Sequence, residues 1–421
     1  MSTIARENIV YTSFDRFPNQ KGAAIHMDAF CRGLHAAFGN VTLITPETSP
    51  VLDHAHDFPR VRQSSLAPGW EHVVVPAIGD NLMQRVLHFR RLADAWWRNR
   101  RANVIHFRSI FEGYPLAGTR RSRCEKLVYE VNGLPSIELK YHYPSVADDA
   151  ELLEKLQAQE QFCLEAADLI VTVSQTNAAL LLKRGVDDRK LRVIPNGVDP
   201  HVFACQPPSV LNGRPLTLLY SGTFSPWQGV DLAIEALALL RRDHPAKLVL
   251  VGAALPRQLR AIAEWCEQFN VSDHVTILPA ATQRELVTLH HEADAILAPL
   301  RATERNTQQG CCPLKVIEAM SSGTPLIASD LPVVRELAEP DRDALLVRAS
   351  SAKAIKDALL RLLQEPTLGA QLSRNARATV ERRLTWKRAQ AELIAAYREV
   401  LGIEPQGHYE SRRETRDESA A

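Results

Sequence analysis

Residues 313–330 read PLKVIEAMSSGTPLIASD and carry the densest candidate chemistry in the chain. Pro313 is placed to open a helix, because the first helical position needs no N–H donor. Lys315 then falls in the first turn and Glu318 one turn later, on the same side. Gly323, Thr324 and Pro325 end the helix and lead into an apolar run. The free N–H groups of a helix start attract anions. A lysine beside them adds a point charge suited to phosphate, and a carboxylate one turn on can accept hydrogen bonds from a pair of ribose hydroxyls. The bland alternatives are a solvated helix residue for Glu318 and a surface cation for Lys315.

Other candidates are more ambiguous. Residues 18–24, PNQKGAA, follow an apolar run and precede a helical pattern. Gly22 lets the backbone approach a ligand closely, or it marks only a tight turn. The loop is not GxGxxG, so dinucleotide binding has no support. Asn132 lies in LVYEVNGLPSIELKYHY, residues 127–143, where a buried strand gives way to polar residues. It can hydrogen-bond a hydroxyl but cannot act as an acid or base. Glu138, His142 and His106 read as surface residues ahead of acceptor contacts. Gly222 and Gly229 bracket a loop whose Trp227 reads as a packed aromatic. Asn196 and Gly197 read as hinge and turn residues. Cys311 and Cys312 are adjacent, which is poor spacing for metal ligands, and no metal site is expected.

The elements that would position these residues alternate. In the first half, short Val/Ile/Leu runs at 8–12, 41–45, 73–76, 104–107, 127–131, 169–173 and 191–194 predict buried strands. Amphipathic stretches at 22–38, 82–99 and 151–166 predict helices between them. The pattern restarts with strands at 216–220, 247–251, 275–278, 295–298 and 326–328. Helices follow at 230–241, 257–269, 284–290, 314–321, 352–363, 368–382 and 386–401. Strand–helix alternation implies parallel sheets with right-handed crossovers. The fold expected is α/β, two facing Rossmann-like doubly wound domains. Residues 1–203 form the first and 204–385 the second. The helix of 386–403 packs back on the first, and 404–421 form a disordered tail. Ligands of such sheets bind beyond the carboxyl ends of the strands, so the cleft between the domains is the expected site.

With 421 residues the chain exceeds one ordinary core. Its 45% hydrophobic and 24% charged content is that of a globular protein, and a net charge of +1 gives no global field for nucleic acid. No apolar run approaches the roughly 18 residues of a membrane span, and the N-terminus lacks a signal-peptide pattern. Seven scattered cysteines suit a reducing compartment, so a cytoplasmic location is expected.

The 313–330 segment resembles the donor-binding helix of family-four glycosyltransferases, which have the GT-B fold. IPNGVD at 194–199, YSGTFSPWQGVDLAIEAL from Tyr220, LVLVGAALP from Leu248, HVTILPAATQRELVTLHHEADAILAP from His274 and VTVSQTNAALLLKRG from Val171 are similar in kind and order. The resemblance spans nearly the whole chain and is specific to the superfamily, not to a substrate. It implies a retaining transferase taking a UDP- or GDP-sugar, with no metal cofactor, and a glycan or lipid-linked acceptor. It implies donor contacts at Gly22, Gly222, Thr223, Gln228, Gly310, Pro313, Leu314, Lys315 and Glu318. Asn132, Lys315 and Glu318 stand nearest the chemistry. Four positions depart from the pattern. Gly310 replaces a common Glu, and Thr223 and Gln228 replace an Arg and a Lys that grip the diphosphate. Asn132 stands where a His is frequent. The competing readings are an epimerase of the same fold and a degenerate nucleotide-sugar-binding partner.

Residues 82–126 are rich in Arg, with Phe89, Leu92, Trp96 and Trp97 interleaved. A helix with a solvated basic face is the bland reading. A peripheral contact with an anionic membrane on its inner face is the alternative.

Overall fold

The computed structural model describes residues 7–48, 61–208 and 214–403. The tail expected from 404 lies outside the described residues.

The first sheet contains β1 (Glu7–Thr12), β2 (Gly39–Pro46), β3 (Arg62–Ala67), β4 (Trp70–Val75), β5 (Ala102–Phe107), β6 (Cys124–Val131), β7 (Leu169–Thr172) and β8 (Leu191–Val193). Its order is β3-β4-β2-β1-β5-β6-β7-β8. The second contains β9 (Leu216–Ser221), β10 (Ala246–Val251), β11 (Val275–Leu278), β12 (Ala295–Ala298), β13 (Leu326–Asp330) and β14 (Leu345–Arg348), in the order β11-β10-β9-β12-β13-β14. All neighbours are parallel except β3 and β4. Strand order reverses between β1 and β5 and between β9 and β12. These are the switch points where ligand crevices open.

Two strands escape the sequence pattern. Strand β3, RQSSLA, is an exposed polar edge with no apolar face to signal it, and β14 is only LLVR. Helix Ile110–Arg123 escapes too, because Gly113 and Pro115 interrupt its helical pattern. Gly113 is required there, since a Cβ would lie 2.0 Å from the Phe107 ring. The capping box of Ser109 and Glu112 is the signal that marks this start.

The chain crosses between sheets twice, after β8 and again near Thr385, where Val198 bridges Thr385. Helix Trp386–Leu401 then lies against helix Gly22–Phe38. Its Ala389, Leu393, Ala396 and Tyr397 fall on one face at helical spacing and complete the core of the first domain.

Candidate active site

Helix Leu314–Ser322 is buried along almost its whole length, its polar Lys315, Glu318, Ser321 and Ser322 included. Pro313 does not open it but caps it in extended conformation, with ψ 108°. Gly323 ends it with φ 86°, in the left-handed region glycine tolerates. The helix start faces a cavity of ≈ 210 Å³. Pro313, Leu314, Lys315 and Glu318 line it, with Gly222, Thr223 and Gln228 from the loop after β9. Gly22 enters from the opposite domain, and a Cβ on it would stand 3.2 Å from Leu314 Cδ1. The first turns of two helices, one from each domain, therefore meet at this cavity.

Lys315 is only 8% exposed, and its Nζ has no hydrogen-bond partner among the described residues. It lies 3.9 Å from the centre of the Tyr220 ring, whose face attracts a cation. A Cβ on Gly222 would come 2.9 Å from Nζ, so glycine makes room for the ammonium. A buried cation without a partner is costly unless an anion arrives. Burial pushes Lys315 down to about 7, against the pull of Glu318. Burial also pushes Glu318 up to about 7, against the pull of Lys315. The other cation lining this cavity is Lys21, from the opposite domain. Sequence reasoning passed over it. It supplies positive charge that the Thr223–Gln228 loop lacks.

Gly310 is not brought to this cavity. It has φ 84°, and a Cβ would lie 2.5 Å from Ser174 Oγ and 2.7 Å from Asn177 N. It packs instead on the start of helix Gln175–Lys183 in the first domain. That contact accounts for a glycine where relatives commonly carry Glu.

Asn132 lines an adjoining cavity of ≈ 630 Å³ that shares Gly22 and Leu314 with the first. Its Nδ2 donates to Glu130, which leaves its Oδ1 able to accept a further hydrogen bond. Glu138 and His142 also line this cavity; Glu138 is half-buried, which corrects its surface reading, whereas His142 is exposed, in line with that reading. Glu138 accepts from Arg305 Nε at 2.8 Å and Gln309 Nε2 at 2.9 Å, and His142 packs edge-on against Trp227. His106 is buried within β5, beneath the cleft rather than on the surface.

The residue most completely missed is Glu130, 0% exposed in β6. Its carboxylate accepts from Tyr11 OH at 2.7 Å and Arg108 Nε at 2.9 Å, and His106 Nε2 lies 3.0 Å away. His26 Nε2 stands 2.9 Å off. Burial alone would raise this acid, but His26, Arg108 and the hydrogen bonds hold it well below the usual carboxylate range. A lone Glu in the otherwise apolar VYEV run was the available signal.

Residues 20–202 match the model described as Glycosyltransferase Family 4, and residues 206–379 the model described as Glycosyl transferases group 1. The two matches follow each other and divide between the two domains. The chain belongs to the family-four glycosyltransferases. Among curated members, it is 28% identical over 262 residues to the D-inositol 3-phosphate glycosyltransferase of Xylanimonas cellulosilytica, covering 58% of this chain and 60% of that protein. It is 26% identical over 249 residues to the MMP alpha-(1->4)-mannosyltransferase of Mycolicibacterium hassiacum, covering 58% of this chain and 57% of that one. The matches thus span about 60% of these relatives' length. The fold of family-four members recurs in sucrose-phosphate synthase from Thermosynechococcus elongatus, with TM-score 0.77, 21% identity and coverage of 94% of this chain and 100% of that one. It recurs in Anabaena HepE solved with UDP-glucose, with TM-score 0.66, 15% identity and coverage of 93% and 99%.

Proposed function

We propose that this protein transfers a sugar, with retention, from a UDP- or GDP-sugar to a glycan or lipid-linked acceptor in cell-surface polysaccharide or glycoconjugate synthesis. The observation that carries the reading is the unpartnered Lys315 ammonium at a helix start, one turn from a buried carboxylate. The diphosphate lies at the start of helix Leu314–Ser322, and Glu318 accepts from the ribose hydroxyls. Lys315 and the helix N–H groups stabilise the charge that grows on the departing diphosphate. The acceptor hydroxyl oxygen bonds to the anomeric carbon as the bond from that carbon to the phosphate oxygen breaks. The hydroxyl proton passes to the departing phosphate oxygen. Glu130 already receives hydrogen bonds on both carboxylate oxygens and is a poor nucleophile, which favours this front-face route over a covalent intermediate. The curated relatives and the UDP complexes of HepE support a nucleotide-sugar donor.

A thermal-shift screen of nucleotide sugars checks this. A true donor at a hundred times its Kd stabilises the fold by about 2.7 kcal/mol. Glu318→Ala should lose most of that shift. An unshifted wild type across the panel sinks the reading, and an equal shift in the variant sinks the role of Glu318. Turnover of the bound donor separates a transferase from a degenerate binder, and turnover without acceptor identifies an epimerase.

A cytoplasmic location goes with this reading, since seven free cysteines would stay reduced there. No helix among the described residues is long and apolar enough to cross a membrane. A peripheral contact with an anionic membrane would fall on the outer face of helix Leu82–Trp97. Arg90, Arg108 and Arg120 are engaged inside the fold, and Trp97 is buried. Met83 and Leu87, 56% and 54% exposed, stand one turn apart with Arg91 a turn further on. Cosedimentation with phosphatidylglycerol vesicles but not phosphatidylcholine vesicles is expected, weakened by salt and by Met83→Ser/Leu87→Ser. Absence of binding to the anionic vesicles removes this partner.

A further inference from the structure

Asn196 lies in the segment that joins the two sheets and is 8% exposed. Its Nδ2 donates to the carbonyl of Cys312 at 2.8 Å, and its Oδ1 lies 2.7 Å from His26 Nδ1. A carbonyl only accepts, so the amide orientation is fixed and His26 Nδ1 must be the donor to Oδ1. On its other side, His26 Nε2 faces the Glu130 carboxylate, itself anchored by Arg108 and Tyr11. A buried polar chain therefore runs from β6 through helix Gly22–Phe38 and the joining segment to the second domain.

Both ends of its middle section bear on the donor cavity. Cys312 directly precedes Pro313, which caps helix Leu314–Ser322. The carbonyl that Asn196 holds thus fixes the approach to that helix start. His26 lies one turn into the helix that begins at Gly22, so fixing its ring fixes the other helix start. The Gly22 and Leu314 ends abut, and Lys21 and Lys315 line the cavity from the two sides.

We propose that Asn196 and His26 are positioning residues that set the gap between these two helix starts, and through it the grip on the donor diphosphate. The assignment of the cavity rests on the function proposed above. The chain of contacts does not, because it can be tested without any ligand.

The variants are Asn196→Asp, His26→Ala and the double substitution, in the full chain. Asp still accepts from His26 but cannot donate to Cys312 O. Small-angle scattering of the free proteins should show a larger radius of gyration for Asn196→Asp than for wild type, with cooperative unfolding retained at a modestly lower melting temperature. UDP, GDP and ADP are titrated separately, and whichever binds wild type should bind each single variant about tenfold more weakly, as loss of one buried hydrogen bond implies. The double variant should be no weaker than the weaker single one, because both act through one chain. An Asn196→Asp protein with wild-type radius and affinity overturns the proposal. So do additive losses in the double variant, and so does an opened pair of domains with unchanged affinity. If none of the nucleotides binds wild type, the donor reading fails, while the scattering result still judges the relay.

Discussion

Lys315→Met should weaken nucleotide-sugar binding by ten- to a hundredfold and leave the ligand-free protein at least as stable as wild type. The two halves of that expectation come from one fact. The ammonium is buried without a partner, over the Tyr220 ring. Methionine fills the space of the lysine stem without a charge, so the free protein loses an uncompensated buried cation. With the diphosphate bound, the same substitution removes charge-assisted hydrogen bonds worth about 1.5–3 kcal/mol. Most substitutions that damage a site also damage the fold; this one should separate the two. A melting curve of the free variant and a titration with the donor found by screening measure both. A variant that melts well below wild type, or that binds normally, refutes the role given to Lys315.

The same residue predicts a pH dependence whose sign can be worked out. Lys315 stands at about 7 in the free protein, and a bound diphosphate raises it. Binding then takes up a proton, and affinity should fall as pH rises above about 7. Glu318 also stands at about 7, and ribose hydroxyls favour its ionised form. Affinity should fall on the acid side as well. The profile is a bell centred near neutrality whose limbs belong to the coupled pair. An esterified diphosphate does not titrate in this range, so a nucleotide sugar is the right probe. Lys315→Met should lose the alkaline limb. A flat wild-type profile contradicts the paired roles.

The helices bearing the donor cavity were legible because their sequences are locally consistent. Helix Gly22–Phe38 and helix Leu314–Ser322 carry continuous apolar faces, and Gly323 provides a glycine stop. The resemblance named Gly222, Gln228, Lys315 and Glu318 together, and their places after parallel strands are the physical reason they line one cavity. The acceptor side was less legible because it depends on long-range pairing. Nothing near His26 in sequence announces Glu130, 104 residues away by subtraction, or Asn196, 170 residues away. Gly310 was misplaced for a related reason. Its neighbours, Ser174 and Asn177, come from the other domain, and only the docking of the two domains shows that its backbone is in use there.

Glu130→Gln carries the largest expected effect on stability, about 3–5 kcal/mol, which is the range for removing one member of a buried ion pair. Gln keeps the shape of Glu but not its charge, and an amide offers one acceptor oxygen where the carboxylate offers two. Tyr11, His106, His26, Arg108 and Asn132 would then compete for it, and Arg108, 7% exposed, would keep only Asp15 as its acidic partner. The acid side gives an independent reading. Glu130 is held below its unfolded value, so its contribution to stability is fully present above about pH 4.3 and is lost as pH falls through the folded value. Wild type should therefore show a steeper acid loss of stability than the variant. Denaturation of the first domain, followed separately from the second, measures both quantities. A Gln variant that unfolds at the wild-type midpoint, with the same acid slope, would mean that the carboxylate is not the anchor of this network. The consequence then reaches function. Asn132 donates to Glu130, and His26 stands between Glu130 and Asn196, so both the acceptor-side amide and the link to the donor helix depend on one buried charge.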